Sequence, residues 1–120
     1  MENDRVSVVI VEDEPDTAEM FAEMMRLEGY RVHKSYNGEA AKKQIEKNIP
    51  DVVVLDIVMP NLSGLDVLKW MRGHEKLKNI SVILVSARSL PADVAAVLND
   101  GYTEYLTKPV AFEDLRSAIT

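Results

Sequence analysis

Val52-Val-Val-Leu-Asp-Ile-Val-Met-Pro60 sets one carboxylate, Asp56, among eight residues without an ionisable side chain. The unbroken apolar run Val52 to Leu55 is how a strand buried on both faces of a parallel sheet reads. A half-exposed strand would alternate instead. An acid is expensive inside such a strand and much less so at its end. Asp56 is therefore expected to close a buried strand without being buried itself.

The same pattern recurs at Val6–Val11 and Ile80–Val85, with weaker versions at Tyr30–Ser35 and Thr103–Thr107. Between these runs lie segments with helical spacing. Ala18, Phe21, Ala22 and Met25 fall at i, i+3, i+4 and i+7, and Ala41 with Ile45 marks a second helix. Leu65, Leu68 and Met71 mark another, Val94, Val97 and Leu98 another, and Phe112, Leu115 and Ile119 the last. Pro15 and Pro91 stand where a first helical turn tolerates proline, and Gly29, Gly73 and Gly101 stand where helix C-terminal caps belong. Strand and helix alternate throughout, which implies right-handed crossovers and a doubly wound α/β domain of five parallel strands with five helices on both faces.

The chain of 120 residues suits one domain, residues 1–120, with no repeat or linker. The last helical segment has only about two turns and no capping residue, which suggests truncation of a longer helix. Twenty acids against fourteen bases give a net charge of −6, which argues against a nucleic-acid or anionic-membrane binder. Without cysteine there are no disulfides and no thiolate metal sites. The acidic start is no secretory signal, and no apolar run approaches the length of a bilayer span. A cytoplasmic location is expected.

Ligands of open parallel sheets bind outside the carboxyl ends of the strands. The first strand there gives Glu12 and Asp13, the third Asp56 and the fourth Ser86, while Lys108 follows the fifth. Three carboxylates in one mouth repel each other, and a hard divalent cation such as Mg2+ removes the conflict. The same cation, Lys108 and the Ser86 hydroxyl would bind the oxygens of a phosphoryl group on Asp56, a carboxylate being able to act as its nucleophile.

Four motifs in order carry a family resemblance over essentially the whole chain. They are Val-Ile-Val-Glu-Asp-Glu-Pro (9–15), Val-Val-Leu-Asp-Ile-Val-Met-Pro (53–60) with Ser63-Gly64, Val-Ser-Ala (85–87) and Tyr-Leu-Thr-Lys-Pro (105–109). With them the chain resembles the receiver domain of two-component response regulators, a flavodoxin-like fold of strand order 2-1-3-4-5. The resemblance implies phosphoryl transfer from a histidine kinase, or a phosphotransfer protein, to Asp56. It implies Mg2+ on Asp13, Asp56 and the Val58 carbonyl, with Glu12 acting largely through water. It makes Lys108 the phosphate partner, Ser86 the mobile hydroxyl and Tyr105 the aromatic that turns inward with it, and Lys108–Pro109 a bond commonly cis. Val58 and Arg88 match positions that flank the attacking water and tune dephosphorylation. The output partner, or a second copy in a homodimer, would meet the face made by the Val94–Leu98 helix, the 103–107 strand and the last helix. Neither nucleic acid nor membrane is expected to bind this domain.

The sequence departs from the family at Glu12 and Ser86, where aspartate and threonine are commoner, and at Tyr102, where a small residue is usual. Two other readings stand beside this one: a receiver-like interaction module that takes no phosphate, and a Mg2+-dependent phosphohydrolase with an aspartate nucleophile. The hydrolase needs a second acid two places after its nucleophile, and that place is Val58. Glu14 and Asp16 suit a helix N-terminus better than a metal. His33 and His74 read as surface residues, Trp70 as packing or partly exposed surface, and Met20, Met24 and Met25 as core filler.

Overall fold

A computed structural model describes residues 6–56, 64–86, 103–107 and 110–119. Five strands, β1 (Ser7–Val11), β2 (Arg31–Ser35), β3 (Val52–Asp56), β4 (Ser81–Ser86) and β5 (Thr103–Thr107), form one parallel sheet of order β2-β1-β3-β4-β5. The three strong apolar runs became the three central strands, and the two weak ones became the edges. The order explains the sequence, because only central strands are covered on both faces and flanked on both sides.

Alternate side chains along these strands feed two cores. Val9, Val11, Val53, Leu55, Val82 and Leu84 face the helices α2 (Gly38–Lys47) and α3 (Gly64–Arg72), which contribute Ala41, Ile45, Leu68 and Met71. Val8, Ile10, Val54, Ile83 and Val85 face α1 (Pro15–Leu27) and α4 (Phe112–Ile119), which contribute Ala18, Phe21, Ala22, Met25 and Leu115. Helices thus cover both faces. The expected Val94–Leu98 helix, with Pro91 and Gly101, lies outside the described residues, as do Val58, Ser63, Arg88, Tyr102 and the Lys108–Pro109 bond. The side chains of Leu65, Ser86, Phe112 and Ile119 also lie outside them.

Local chemistry sets the helix ends. Glu14 is the N-cap of α1, its Oε1 accepting hydrogen bonds from the amides of Asp16 (2.7 Å) and Thr17 (3.3 Å), and Pro15 opens the first turn. At the other end Gly29 takes φ +83°, its amide donating to Arg26 O and that of Tyr30 to Met25 O. This is the left-handed stop that glycine permits. Gly73 follows α3 as expected but has no positive φ, so its amide simply continues the ladder to Lys69 O. The chain is held there by Arg72, whose Nη1 donates to the carbonyls of Lys78 and Ile80.

Met25 is buried and Met24 packs against the core, but Met20 is 44% exposed, correcting its assignment as core filler. Between Ala18 and Phe21 its position turns toward solvent, while those two turn inward. On the same outer side Glu19 accepts from Lys34 of β2 and from Arg26, which also binds Glu23. Lys34 and then Arg26 hold the Glu19 carboxyl below its ordinary range. The link is therefore present above that range and is lost as pH falls through the lowered value. Among the described residues no helix is long and apolar enough to cross a membrane.

Candidate functional site

The strand ends gather the acids as expected. Glu12 directly follows β1, and its amide donates to Ser35 O at 3.0 Å, which continues the β1–β2 pairing one residue beyond the strand. Asp13 comes next, before the α1 cap. Asp56 is the last residue of β3 and sits opposite Val85 in the ladder. One carboxylate oxygen from each of Glu12, Asp13 and Asp56 lies within 4.8 Å of the others. These three form the one group of metal-ligating side chains found among the described residues.

Asp56 is only 7% exposed, which corrects the expectation that it escapes burial. Its ladder partner Val85 precedes the last residue of β4, so the sheet still flanks Asp56. Glu12 is buried further, at 2% exposure, and its Oε2 accepts the Glu14 amide at 3.2 Å. The longer side chain at this position folds back onto the β1–α1 turn, and that bond fixes where its carboxylate meets the cluster. Asp13 is the most exposed of the three. Glu14, by contrast, spends its carboxylate on α1, as the sequence suggested.

Ser86 ends β4 and pairs with Thr107, the last residue of β5, so both strands stop at the edge where the acids lie. The Ser86 side chain and Lys108 lie outside the described residues. Tyr105 is half-buried on β5 and packs against the α2–α3 core. His33 is exposed, and neither histidine joins the acids.

All-oxygen donors at this spacing fit a small hard cation. They also repel one another when no cation is present. Neutralising one acid by Asp13→Asn is expected to raise the melting temperature in EDTA by a few degrees, the equivalent of about 1 kcal/mol. It should also remove most of the further rise expected of the unaltered chain in millimolar Mg2+. Calorimetry with and without Mg2+ checks this, and an unchanged Mg2+ response would remove Asp13 from the site.

A family model described as the response regulator receiver domain matches residues 8–120. The probable transcriptional regulatory protein TcrX of Mycobacterium tuberculosis is 37% identical over 110 residues, covering 92% of this chain and 46% of TcrX. The chain thus spans under half the length of that relative. The polar-differentiation response regulator DivK of Brucella anthropi is 32% identical over 105 residues, covering 88% of this chain and 85% of DivK. Among solved structures, the receiver domain of sensor histidine kinase PA1611 from Pseudomonas aeruginosa PAO1 superposes with a TM-score of 0.84. It is 27% identical, covers 96% of this chain and 94% of its own, and has a magnesium ion coordinated in its active-site cleft.

Proposed function

This chain belongs to the response regulator receiver domain family, and from that premise we propose that Asp56 is its phosphoacceptor. The reading takes residues 1–120 as one cytoplasmic receiver unit that accepts the phosphoryl group of a kinase or phosphotransfer-protein phosphohistidine. The observation that carries it is the convergence of Glu12, Asp13 and Asp56 within 4.8 Å at the carboxyl edge of the sheet.

The cluster fits Mg2+ by its donor chemistry: Asp13, Asp56 and the Val58 carbonyl would hold the ion, with Glu12 acting through water. Bound there, Mg2+ supplies positive charge to the oxygens of the transferring group. An Asp56 carboxylate oxygen attacks phosphorus in line as the phosphorus–nitrogen bond breaks, and the imidazole leaves with that electron pair. Lys108 and the Ser86 hydroxyl take the charge on the phosphoryl oxygens. Burial of Asp56 by the sheet holds the nucleophile in one place and keeps bulk water from one side.

Receiver domains act as signalling switches and not as turnover enzymes. In this reading the chain assists its own phosphorylation and dephosphorylation, and the phosphoryl group biases a two-state equilibrium. Ser86 moves toward the new oxygens, and Tyr105, packed at the edge of the α2–α3 core, turns inward behind it. The change then reaches the face of the Val94–Leu98 segment, β5 and α4, where an output partner or a second copy binds. Nucleic acid and membrane are not partners of this unit. Incubation with Mg2+ and acetyl phosphate, followed by intact mass, tests the reading; absence of a phosphoryl gain would leave an interaction module.

Val58 and Arg88 tune the lifetime of the phosphoryl group. Val58 has no polar atom with which its side chain could direct a water molecule. Val58→Asn is expected to speed loss of a radiolabelled phosphoryl group about tenfold, the worth of one hydrogen bond made only in the transition state. An unchanged decay would remove Val58 from this role.

A further inference from the structure

The end of the sheet opposite the acids has another character. Strands β1, β2 and β3 begin there, and α2 and α3 run back to end there. Two hollows open on this end, of about 600 Å³ and 200 Å³, and Ile49 and Glu46 line both. Ile49 is 50% exposed, a large aliphatic side chain left in solvent between two concavities. The larger hollow takes Arg31 of the edge strand and Lys47 of α2, and the smaller takes Lys76. His74 lines the smaller hollow and meets Trp70 edge-on, with ring centroids 5.8 Å apart. Lys42 Nζ lies 5.6 Å from the centroid of the partly buried Trp70 ring, which reaches the smaller hollow only through His74.

Against Arg31, Lys47 and Lys76 the lining of the hollows sets two carboxylates, Glu46 and Asp51, an excess of one positive charge, and Asp51 Oδ2 is already engaged by the Ser7 amide at 2.8 Å. On a chain of net charge −6 this is a local reversal of sign. An exposed aliphatic residue beside an arginine and two lysines, with a tryptophan behind His74, has the composition of a binding hot spot. We propose that this face docks an acidic peptide segment of a partner protein, anchored by one aliphatic or aromatic side chain at Ile49. A nucleic acid or an anionic bilayer extends past the patch and meets the repulsion of the whole chain. A short peptide stays within the local positive field, since screening limits that field to about 8–10 Å.

The face is separated from Asp56 by the height of the sheet, about 17 Å for a five-residue strand. Docking there is independent of the state of Asp56. It goes beyond the phosphoacceptor reading and does not rest on it.

Trp70 is the one tryptophan in the chain, so its emission reports on this face. The experiment selects peptides from a random dodecapeptide display library on the full chain, then titrates the enriched peptides while reading Trp70 emission. The expected peptides place several Asp or Glu residues around one aliphatic or aromatic residue and bind saturably. Affinity should fall at least about tenfold, 1.4 kcal/mol, with Ile49→Asp and with the pair Lys47→Glu and Lys76→Glu, and stay the same with Asp56→Asn. Ile49→Asp should keep the circular dichroism spectrum and the melting temperature of the unaltered chain to within a few degrees, which shows that it folds. Failure to enrich acidic peptides, or full affinity in both surface variants, would overturn the proposal. An equal, saturable response to a single-stranded oligonucleotide or to phosphatidylglycerol vesicles would also overturn it.

Discussion

Asp56→Asn is expected to abolish phosphorylation outright: incubated with Mg2+ and acetyl phosphate, the unaltered chain gains one phosphoryl group and the variant gains none. The substitution keeps the size and shape of the side chain but replaces an anionic oxygen with an amide, which has no electron pair basic enough to attack phosphorus. Residue 56 lies in the ladder opposite Val85, and that pairing uses only backbone atoms, so the sheet has no reason to change. Removing one of three crowded charges relieves repulsion in the metal-free state. The variant should therefore melt no lower than the parent in EDTA, and a loss of phosphorylation cannot be blamed on unfolding. A phosphoryl group found on the Asp56→Asn variant would move the nucleophile elsewhere, with Asp13, the most exposed acid of the cluster, the first place to look.

Much of this site was legible because a parallel sheet turns sequence order into spatial order. Each strong apolar run had to be a central strand, each such strand ends on the same edge, and the residue after each run is polar. Glu12, Asp13 and Asp56 could be brought together on that logic alone, with the register supplying the rest. Burial was harder to read. An acid at the end of a strand looks solvent-facing in sequence, yet Asp56 is covered because β4 runs one residue past its partner. The seating of Glu12 depends on a hydrogen bond to an amide two residues away, which no spacing rule encodes.

The face around Ile49 was not legible at all. Its residues come from β2, α2, the turn before β3 and the segment after α3, so no window of sequence contains them. His33 read correctly as a surface residue and Trp70 as a packing one, while His74 is half-buried with its ring against Trp70, four residues earlier. Met20 shows the opposite error. A methionine amid core methionines looked like core, and only the phase of α1 settles which side it takes.

That phase gives the second large effect. Phe21→Ala should destabilise the domain by about 3–5 kcal/mol, the range for removing a buried phenylalanine. Phe21 is 1% exposed and packs in the core that joins α1 to β1, β3, β4 and α4. Against a total stability of about 5–15 kcal/mol for an ordinary domain, the loss is a large share. Met20→Ala, one residue earlier in the same helix, should change stability by no more than about 0.5 kcal/mol. Urea unfolding followed by circular dichroism measures both, with a lower midpoint and an unchanged slope expected for Phe21→Ala. Comparable losses in the two variants would mean that α1 is rotated from the described phase. The consequence reaches the site, because α1 begins two residues after Asp13 and its cap, Glu14, shares a turn with Glu12. If the cluster holds Mg2+ as proposed, the ion binds only the folded form and should recover part of the lost midpoint in Phe21→Ala. It should recover little when Asp13→Asn is added. That difference would tie the packing of one buried ring to the placement of the three acids.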